Sequence, residues 1–348
     1  MKKLISVLLC VCMLFTLAVP ALAWNQNDPV DTMDKQELIA LFQAGKGPMT
    51  EGYAIDYRYY SPVKEGDTTQ YPLVVWMHGM SEGGSDGAQL KRNDIAFWAS
   101  ADFQSRFVNG GAYILAVRSP EEQLNYWGED TIYPLRAAID GFIAKNAANV
   151  DVSRIYIGGF SMGGKMTLHM THAYPEMFAA AFPICPAGTL SAAQAKQVAD
   201  IPYWFVSGTG DPLVNYTTSV KPTWEKVRDA NNRPADCRFS TLSPVRYPDG
   251  EKTSSAHHAW FAVNYDMFSV ENGDYPDMTT VNGLGEDVKL TYPEGMIAWL
   301  SQFTSDFDGS AANDTGNRGT IARNPINLIV VFFNRILDIF RQLFEQMF

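Results

Sequence analysis

Positive charge is scarce in this sequence. Its 348 residues carry 27 Lys and Arg against 38 Asp and Glu, for a formal net charge of −11. A nucleic-acid binder needs a basic face, so this balance argues against a nucleic-acid partner. It equally disfavours electrostatic docking on an anionic membrane. Cysteine is scarcer still, with four in all, and Cys10 and Cys12 fall in the first 23 residues. That leaves Cys185 and Cys237, which could form one disulfide in an exported chain or remain two buried thiols. Histidine occurs five times. His169 and His172 share one helix-like run with no other ligand-type residues clustered beside them, so no metal site follows, and no organic cofactor is implied.

Apolar residues are plentiful. A hydrophobic fraction of 46% with 13% aromatics is ample for a buried core. The length allows one large α/β domain with appendages or two smaller domains. Residues 1–23 read as a cleaved signal peptide, with basic Lys2-Lys3, apolar Leu4 to Val19, and Ala21-Leu22-Ala23 before Trp24. Its removal would leave 25 basic residues against 38 acidic, a balance of −13, in a chain that is secreted or associated with the cell surface. A short helix is expected from Asp31 to Gly45, and a strand over Tyr53 to Tyr60.

Continuous apolar runs, the mark of strands buried on both faces, occur at Leu73–Met77, Ala112–Val117, Ile155–Phe160, Phe178–Ile184 and Ile201–Gly208. The third runs straight into Gly159-Phe160-Ser161-Met162-Gly163, followed by a helix-like run to Tyr174. Gly-x-Ser-x-Gly between a strand and a helix is a nucleophile elbow. Small residues flank a strained apex that lifts Ser161 above the sheet. The first apolar run ends in His78-Gly79-Met80, ahead of a glycine-rich loop. That is how half an oxyanion hole is built, with the N–H of Met80 as one donor and that of Met162 as the other. His78 itself reads as a structural residue holding the loop.

Asp211 stands in a loop just past a buried strand, the place from which such a fold offers its acid, although an Asp before Pro is also an ordinary turn residue. His257 and His258 follow in a later loop. Ser161, Asp211 and one of these histidines keep the Ser…Asp…His order of the α/β-hydrolases. Tyr126 and Trp127 lie in a loop after a strand's C-terminal end, where open α/β sheets bind ligands. They line a substrate cleft or pack on the domain surface.

Three stretches carry a resemblance to a known family. They are Asp151-Val152-Ser153-Arg154-Ile155-Tyr156, Gly159-Phe160-Ser161-Met162-Gly163-Gly164, and Tyr174-Pro175-Glu176-Met177-Phe178-Ala179-Ala180. Together they resemble the secreted esterase branch of the α/β-hydrolases. That branch holds the feruloyl and acetyl-xylan esterases of carbohydrate esterase family 1, polyhydroxybutyrate depolymerases and prolyl-oligopeptidase-like relatives. His78-Gly79 with Glu82-Gly83-Gly84-Ser85-Asp86 is similar to the branch's oxyanion loop, and Gly208 to Val214 to its acid loop. The branch's catalytic His commonly precedes a Trp by three residues, which implies His257 with Trp260 beside the substrate, His258 being the alternative. The resemblance covers roughly Gly52 to Leu300. It implies ester hydrolysis through an acyl-enzyme, on acyl or feruloyl esters of plant polysaccharides or small molecules. A departure is Phe261 to Asp287, rich in Asn, Gly, Asp and Tyr, expected to be a lid or irregular loop.

Composition changes near the C-terminus. A final helix over Glu294 to Phe303 closes a catalytic domain spanning residues 24–303, and residues 304–324 read as a flexible linker. Residues 325–348 pattern as an amphipathic helix, too charged to cross a bilayer and suited to a membrane surface, a partner helix or the domain itself. The expected architecture is therefore an α/β-hydrolase fold, a mostly parallel central sheet flanked by helices, with a C-terminal amphipathic helix. Two other functions compete. One is a prolyl-oligopeptidase-like serine peptidase, and the other a non-catalytic binding protein on a hydrolase scaffold.

Overall fold

A computed structural model describes residues 35–310, apart from 81, 84–85, 92, 121–125, 271–272, 275–276 and 292. The expected signal peptide at 1–23, the rest of the expected linker from residue 311 and the expected amphipathic helix at 325–348 lie outside the described residues. Among the described residues no helix is long and apolar enough to cross a membrane.

The strands are β1 (Gln43–Lys46), β2 (Asp56–Tyr60), β3 (Tyr71–Met77), β4 (Tyr113–Val117), β5 (Val150–Phe160), β6 (Ala180–Ile184), β7 (Trp204–Gly208), β8 (Arg238–Leu242), β9 (Ser269–Val270), β10 (Gly273–Asp274) and β11 (Met278–Asn282). Nine of them form one sheet in the order β1-β2-β4-β3-β5-β6-β7-β8-β11, and β9 and β10 pair separately. From β4 through β8 every pairing is parallel. Antiparallel strands finish both ends, β2 and β1 at one and β11 at the other.

The apolar runs follow from this layering. Side chains alternate across a strand, so a strand covered on both faces must be apolar throughout. In β3, Val74 and Trp76 face one core layer, while Leu73, Val75 and Met77 face the other. The first layer is closed by Ile95–Ala99 and by the helices Ala101–Arg106, Trp260–Asn264 and Met296–Leu300. There Phe182 stacks between Trp76 and Trp98, its ring centroid 6.3 and 5.7 Å from theirs. The second layer is closed by the helices Ile132–Lys145, Met162–Ala173, Ala192–Gln197 and Lys221–Ala230. Each large apolar side chain buried in this way contributes roughly 1.5–3 kcal/mol.

Several expectations require correction. The first helix spans only Lys35–Ala40, and Gly45 lies in β1 rather than at the helix end. Pairing with β2 satisfies that backbone, and Gly45 passes over the Tyr57 ring where a side chain has no room. The closing helix shortens to Met296–Leu300, its start held by Asp266, which accepts the N–H of Met296 at 2.5 Å and pairs with Arg106 at 3.1 Å. Phe261 to Asp287 is not a lid. Its first residues form a buried helix, and it supplies β11 to the sheet. Residues 304–310 are packed rather than free linker. Ser305 N–H bonds the Ser153 carbonyl at 2.8 Å, Phe307 enters the second core layer, and Arg136 donates to the Ser310 carbonyl at 2.9 Å. The packed chain therefore extends through Ser310. Cys185 and Cys237 are two separate buried thiols with no disulfide.

Candidate active site

β5 ends at Phe160 and a helix begins at Met162, so Ser161 makes the whole turn by itself. Its φ of 57° and ψ of −110° lie where a residue with a Cβ is rarely found. The surroundings hold it there. Its N–H bonds the Ile184 carbonyl of β6 at 2.8 Å, and its carbonyl accepts Lys165 and Ala187 N–H groups, both at 2.9 Å. The flanking glycines have no alternative. A Cβ on Gly159 would stand 2.5 Å from the Met77 carbonyl oxygen, and one on Gly163 would fall onto that same carbonyl. These are backbone obstacles, which no side-chain rotation relieves.

Asp211 follows β7, the second strand beyond β5 in the sheet. Its carboxylate is fully buried. One oxygen accepts the N–H groups of Leu213 (2.8 Å) and Val214 (3.0 Å), and the other bonds Nδ1 of His257 at 2.6 Å. Burial pushes this carboxyl upward. The bond to His257, the Val214 N–H, the His257 charge and the Leu213 N–H together outweigh burial and hold it below the usual carboxylate range. His257 lies in a short 3-10 turn, Ala256–His258, begun by Ser255, whose hydroxyl accepts the His257 N–H at 3.2 Å. Gly208 lets β7 pass against that turn, since a Cβ there would strike the Ala256 carbonyl. The His257 imidazole rests 4.7 Å from the ring of Phe160, the residue before Ser161. His258 points elsewhere, toward Phe261, and burial lowers its pKa.

Cys185 lies beneath this pair. Its sulfur is 3.5 Å from the His257 carbonyl, and its donor atom lies within 4.8 Å of those of Asp211 and His257. Such a trio has the residue types of a metal site. However, Asp211 and His257 are engaged with each other, and burial holds the thiol protonated by pushing its pKa far up. The arrangement suits hydrogen bonding rather than ligation.

The turn expected to carry an oxyanion donor is built around His78, which is fully buried. Its Nε2 accepts the Ser119 N–H at 3.0 Å, so the ring proton is on Nδ1 and is donated to the Gly79 carbonyl at 2.6 Å. Burial, and secondarily the charge of Arg118, set against the Gly79 bond, bring the His78 pKa to about 4, and the ring stays neutral. In a planar trans peptide the carbonyl and N–H point opposite ways. Anchoring the Gly79 carbonyl to the buried ring therefore turns the Met80 N–H away from the core. Met162, the first residue of its helix, has an N–H with no intrahelical acceptor.

The candidate substrate residues fare differently. Trp127 is fully buried, its indole N–H donating to the His78 carbonyl at 3.0 Å and its ring 5.2 Å from the imidazole. It props the turn after His78 and does not line a cleft. Trp260 is buried and stacked on Phe261, with centroids 3.7 Å apart. Tyr126 keeps partial exposure, with the Lys165 ammonium 5.9 Å from its ring centroid. Glu82, Asn93 and Asn264, which are hydrogen-bonded in series from the Gly79 N–H, carry no local sequence pattern that marks them out.

A six-stranded parallel core with a strand–serine–helix elbow and an Asp–His pair at the C-terminal ends of its strands defines an α/β-hydrolase. The chain belongs to the phospholipase/carboxylesterase family, whose sequence profile matches residues 59–245. Over 181 residues it is 26% identical to the bifunctional acetylxylan esterase/xylanase XynS20E of Neocallimastix patriciarum, a match covering 52% of this chain and 25% of that protein. The chain thus spans about a quarter of that relative's length. A thermostable esterase of known structure superposes with a TM-score of 0.53 at 28% identity, covering 66% of this chain and 62% of the other.

Proposed function

We propose that this protein is an exported serine esterase that cleaves carboxylic esters through an acyl-enzyme. Ser161 attacks the ester carbonyl while His257 Nε2 takes its proton. Asp211 holds the imidazole by Nδ1 and stabilises the cation that forms. The N–H groups of Met80 and Met162 receive the oxyanion, each worth roughly 3–4 kcal/mol in the transition state. His257 then returns the proton to the leaving alcohol, and water repeats the sequence on the acyl-enzyme.

The observation that carries this reading is the 2.6 Å bond between Asp211 and His257, on loops at the same C-terminal end of the parallel strands as the Ser161 elbow. The proposed substrates are acyl esters on plant polysaccharides, acetyl groups foremost and feruloyl groups second. The matched relative, named as an acetylxylan esterase, supports the first. Export rests on the pattern of residues 1–23, and a membrane-surface or protein contact through residues 325–348 on their amphipathic spacing.

Purified mature protein and Ser161→Ala, incubated with a fluorophosphonate probe, p-nitrophenyl acetate, methyl ferulate and acetylated xylan, test the proposal. Labelling and turnover are expected only with Ser161 present, with acetylated xylan releasing acetate. Turnover retained in Ser161→Ala would refute the assignment.

A further inference from the structure

We propose that Glu82 is a positioning residue for the oxyanion hole, and that through Asn93 and Asn264 it ties the oxyanion turn to the helix that follows His257. The proposal rests on the serine-esterase reading of Ser161.

The turn depends on a glycine. Gly79 precedes the donor Met80, and a glycine populates backbone conformations of both hands, so the peptide beside it is intrinsically free to flip. A flip of the Gly79–Met80 peptide would point a carbonyl, not an N–H, at the oxyanion. A side chain at position 79 would stiffen the backbone, but it would crowd its neighbours. A Cβ there would lie 3.0 Å from both the Phe160 ring and the Glu82 carboxylate. The restraint has to come from neighbouring groups.

Two groups supply it. The His78 ring fixes the carbonyl of Gly79. The Glu82 carboxylate fixes its N–H, accepting it at 2.6 Å. Both peptide planes that meet at Gly79 are thereby held. The other oxygen of Glu82 accepts the side-chain amide of Asn93 at 3.1 Å. The Asn93 carbonyl in turn accepts the side-chain amide of Asn264. Asn264 ends the helix Trp260–Asn264, which starts three residues after His257. The series therefore runs from the oxyanion turn to the helix following the proposed base, between segments more than 170 residues apart in the chain.

The arrangement has a cost that apolar packing would avoid. Asn93 and Asn264 are almost wholly buried, yet the side-chain carbonyl oxygen of each has no partner among the described residues. Unpaired buried acceptors destabilise a fold. What those two amides provide is their donors, and both donors are spent on this tether.

The test compares wild type, Glu82→Gln, Glu82→Ala, Asn264→Ala and the Glu82→Ala/Asn264→Ala double variant. The substrates are p-nitrophenyl acetate and its thionoester, in which sulfur replaces the carbonyl oxygen. Sulfur is a weak acceptor, so the thionoester draws little from an oxyanion hole. Glu82→Ala should lower kcat for the oxygen ester about 10- to 100-fold, less than the roughly 100- to 1000-fold of removing a hole donor outright because the Met80 N–H is misplaced and not deleted, with KM within about threefold and the thionoester rate nearly unchanged. The oxygen-to-sulfur rate ratio should therefore collapse, and that ratio does not depend on how much of a sample is folded. Glu82→Gln keeps an acceptor for Gly79, and its NH2 can bond the Asn93 side-chain oxygen once that amide turns over, so it should stay within about threefold of wild type. Asn264→Ala should lower the ratio in the same direction, and the double variant should fall no further than Glu82→Ala alone. Equal losses on both esters would reduce Glu82 to general structure and overturn the proposal. Effects that multiply in the double variant would overturn the tether. An unchanged ratio in Glu82→Ala, with wild type active, defeats this proposal alone. A wild type that turns over neither ester defeats the serine-esterase reading and takes this proposal with it.

Discussion

Asp211→Asn separates orientation from structure at the acid. The two backbone N–H groups of Leu213 and Val214 converge on one carboxylate oxygen at 2.8 and 3.0 Å. In the variant, the amide oxygen has to occupy that position, because an NH2 there would face two donors. The amide nitrogen then faces His257, where a carboxylate oxygen now lies 2.6 Å from Nδ1. Nδ1 can meet a donor only as an acceptor, which places the ring proton on Nε2. An Nε2 already protonated cannot take the proton of Ser161. Converting the orienting acid of a Ser-His-Asp set to its amide in this way costs about 10⁴-fold in kcat, or about 5 kcal/mol. The fold should barely notice. The side chain is isosteric, and both backbone donors keep their acceptor. What changes is that one charge-assisted bond becomes a neutral one, a difference of about 1 kcal/mol, or about 2–4 °C in Tm for a large domain. Initial rates on p-nitrophenyl acetate, paired with calorimetry, measure both quantities. An Asn variant with normal Tm and more than a tenth of wild-type kcat would refute the reasoning, since the base would then not depend on Asp211 for its tautomer.

Gly208→Ala should cost activity well beyond its cost in stability. The added methyl meets the Ala256 carbonyl, a backbone atom, so the turn bearing His257 has to move. A shift of several tenths of an ångström is expected to lower kcat about 10- to 100-fold, against about 1–3 kcal/mol in denaturant unfolding; an unchanged kcat would show that the turn is not coupled to the reaction. Stability should also depend on pH through His169. Burial, and then the Lys165 charge, lower its pKa to about 4, while the unfolded value is near 6.5. Between those values the unfolded chain binds the extra proton, so stability is complete above about pH 6.5 and is lost as pH falls toward 4. Wild type should lose about 3 kcal/mol over that window that His169→Gln does not lose. Urea unfolding of both proteins at pH 7 and pH 4 measures the difference, and parallel behaviour would contradict a half-buried imidazole held neutral.

Much of this architecture is legible in the chain because its causes are local. A strand covered on both faces has to be apolar at consecutive positions, and β3 through β7 show it. The elbow demands glycine at 159 and 163 because backbone atoms stand where a Cβ would go, and that demand is written in the residue types themselves. The position of Asp211 beyond β7 follows from the same strand pattern.

Other features depend on what a residue meets across the fold, and no local pattern carries that. Whether His257 or His258 faces Asp211 is decided by how the turn after β8 seats against Gly208. Two aromatics in one loop look alike in sequence, yet Trp127 is drawn under the His78 carbonyl while Tyr126 stays at the surface. Residues 304–310 have the composition of a linker, but Phe307 finds a core layer and the backbone finds Ser153. Glu82, Asn93 and Asn264 are ordinary polar residues until the sheet and the helix after His257 bring them together. Sequence alone determined the buried parallel strands β3 to β7, the elbow and the order of the reactive groups, since backbone sterics and burial on a sheet act within a few residues, whereas the edge strands β1 and β11 carried no such pattern. Tertiary structure alone decided which groups touch, because hydrogen bonds between segments tens to hundreds of residues apart exist only once the packed layers place their donors and acceptors within reach.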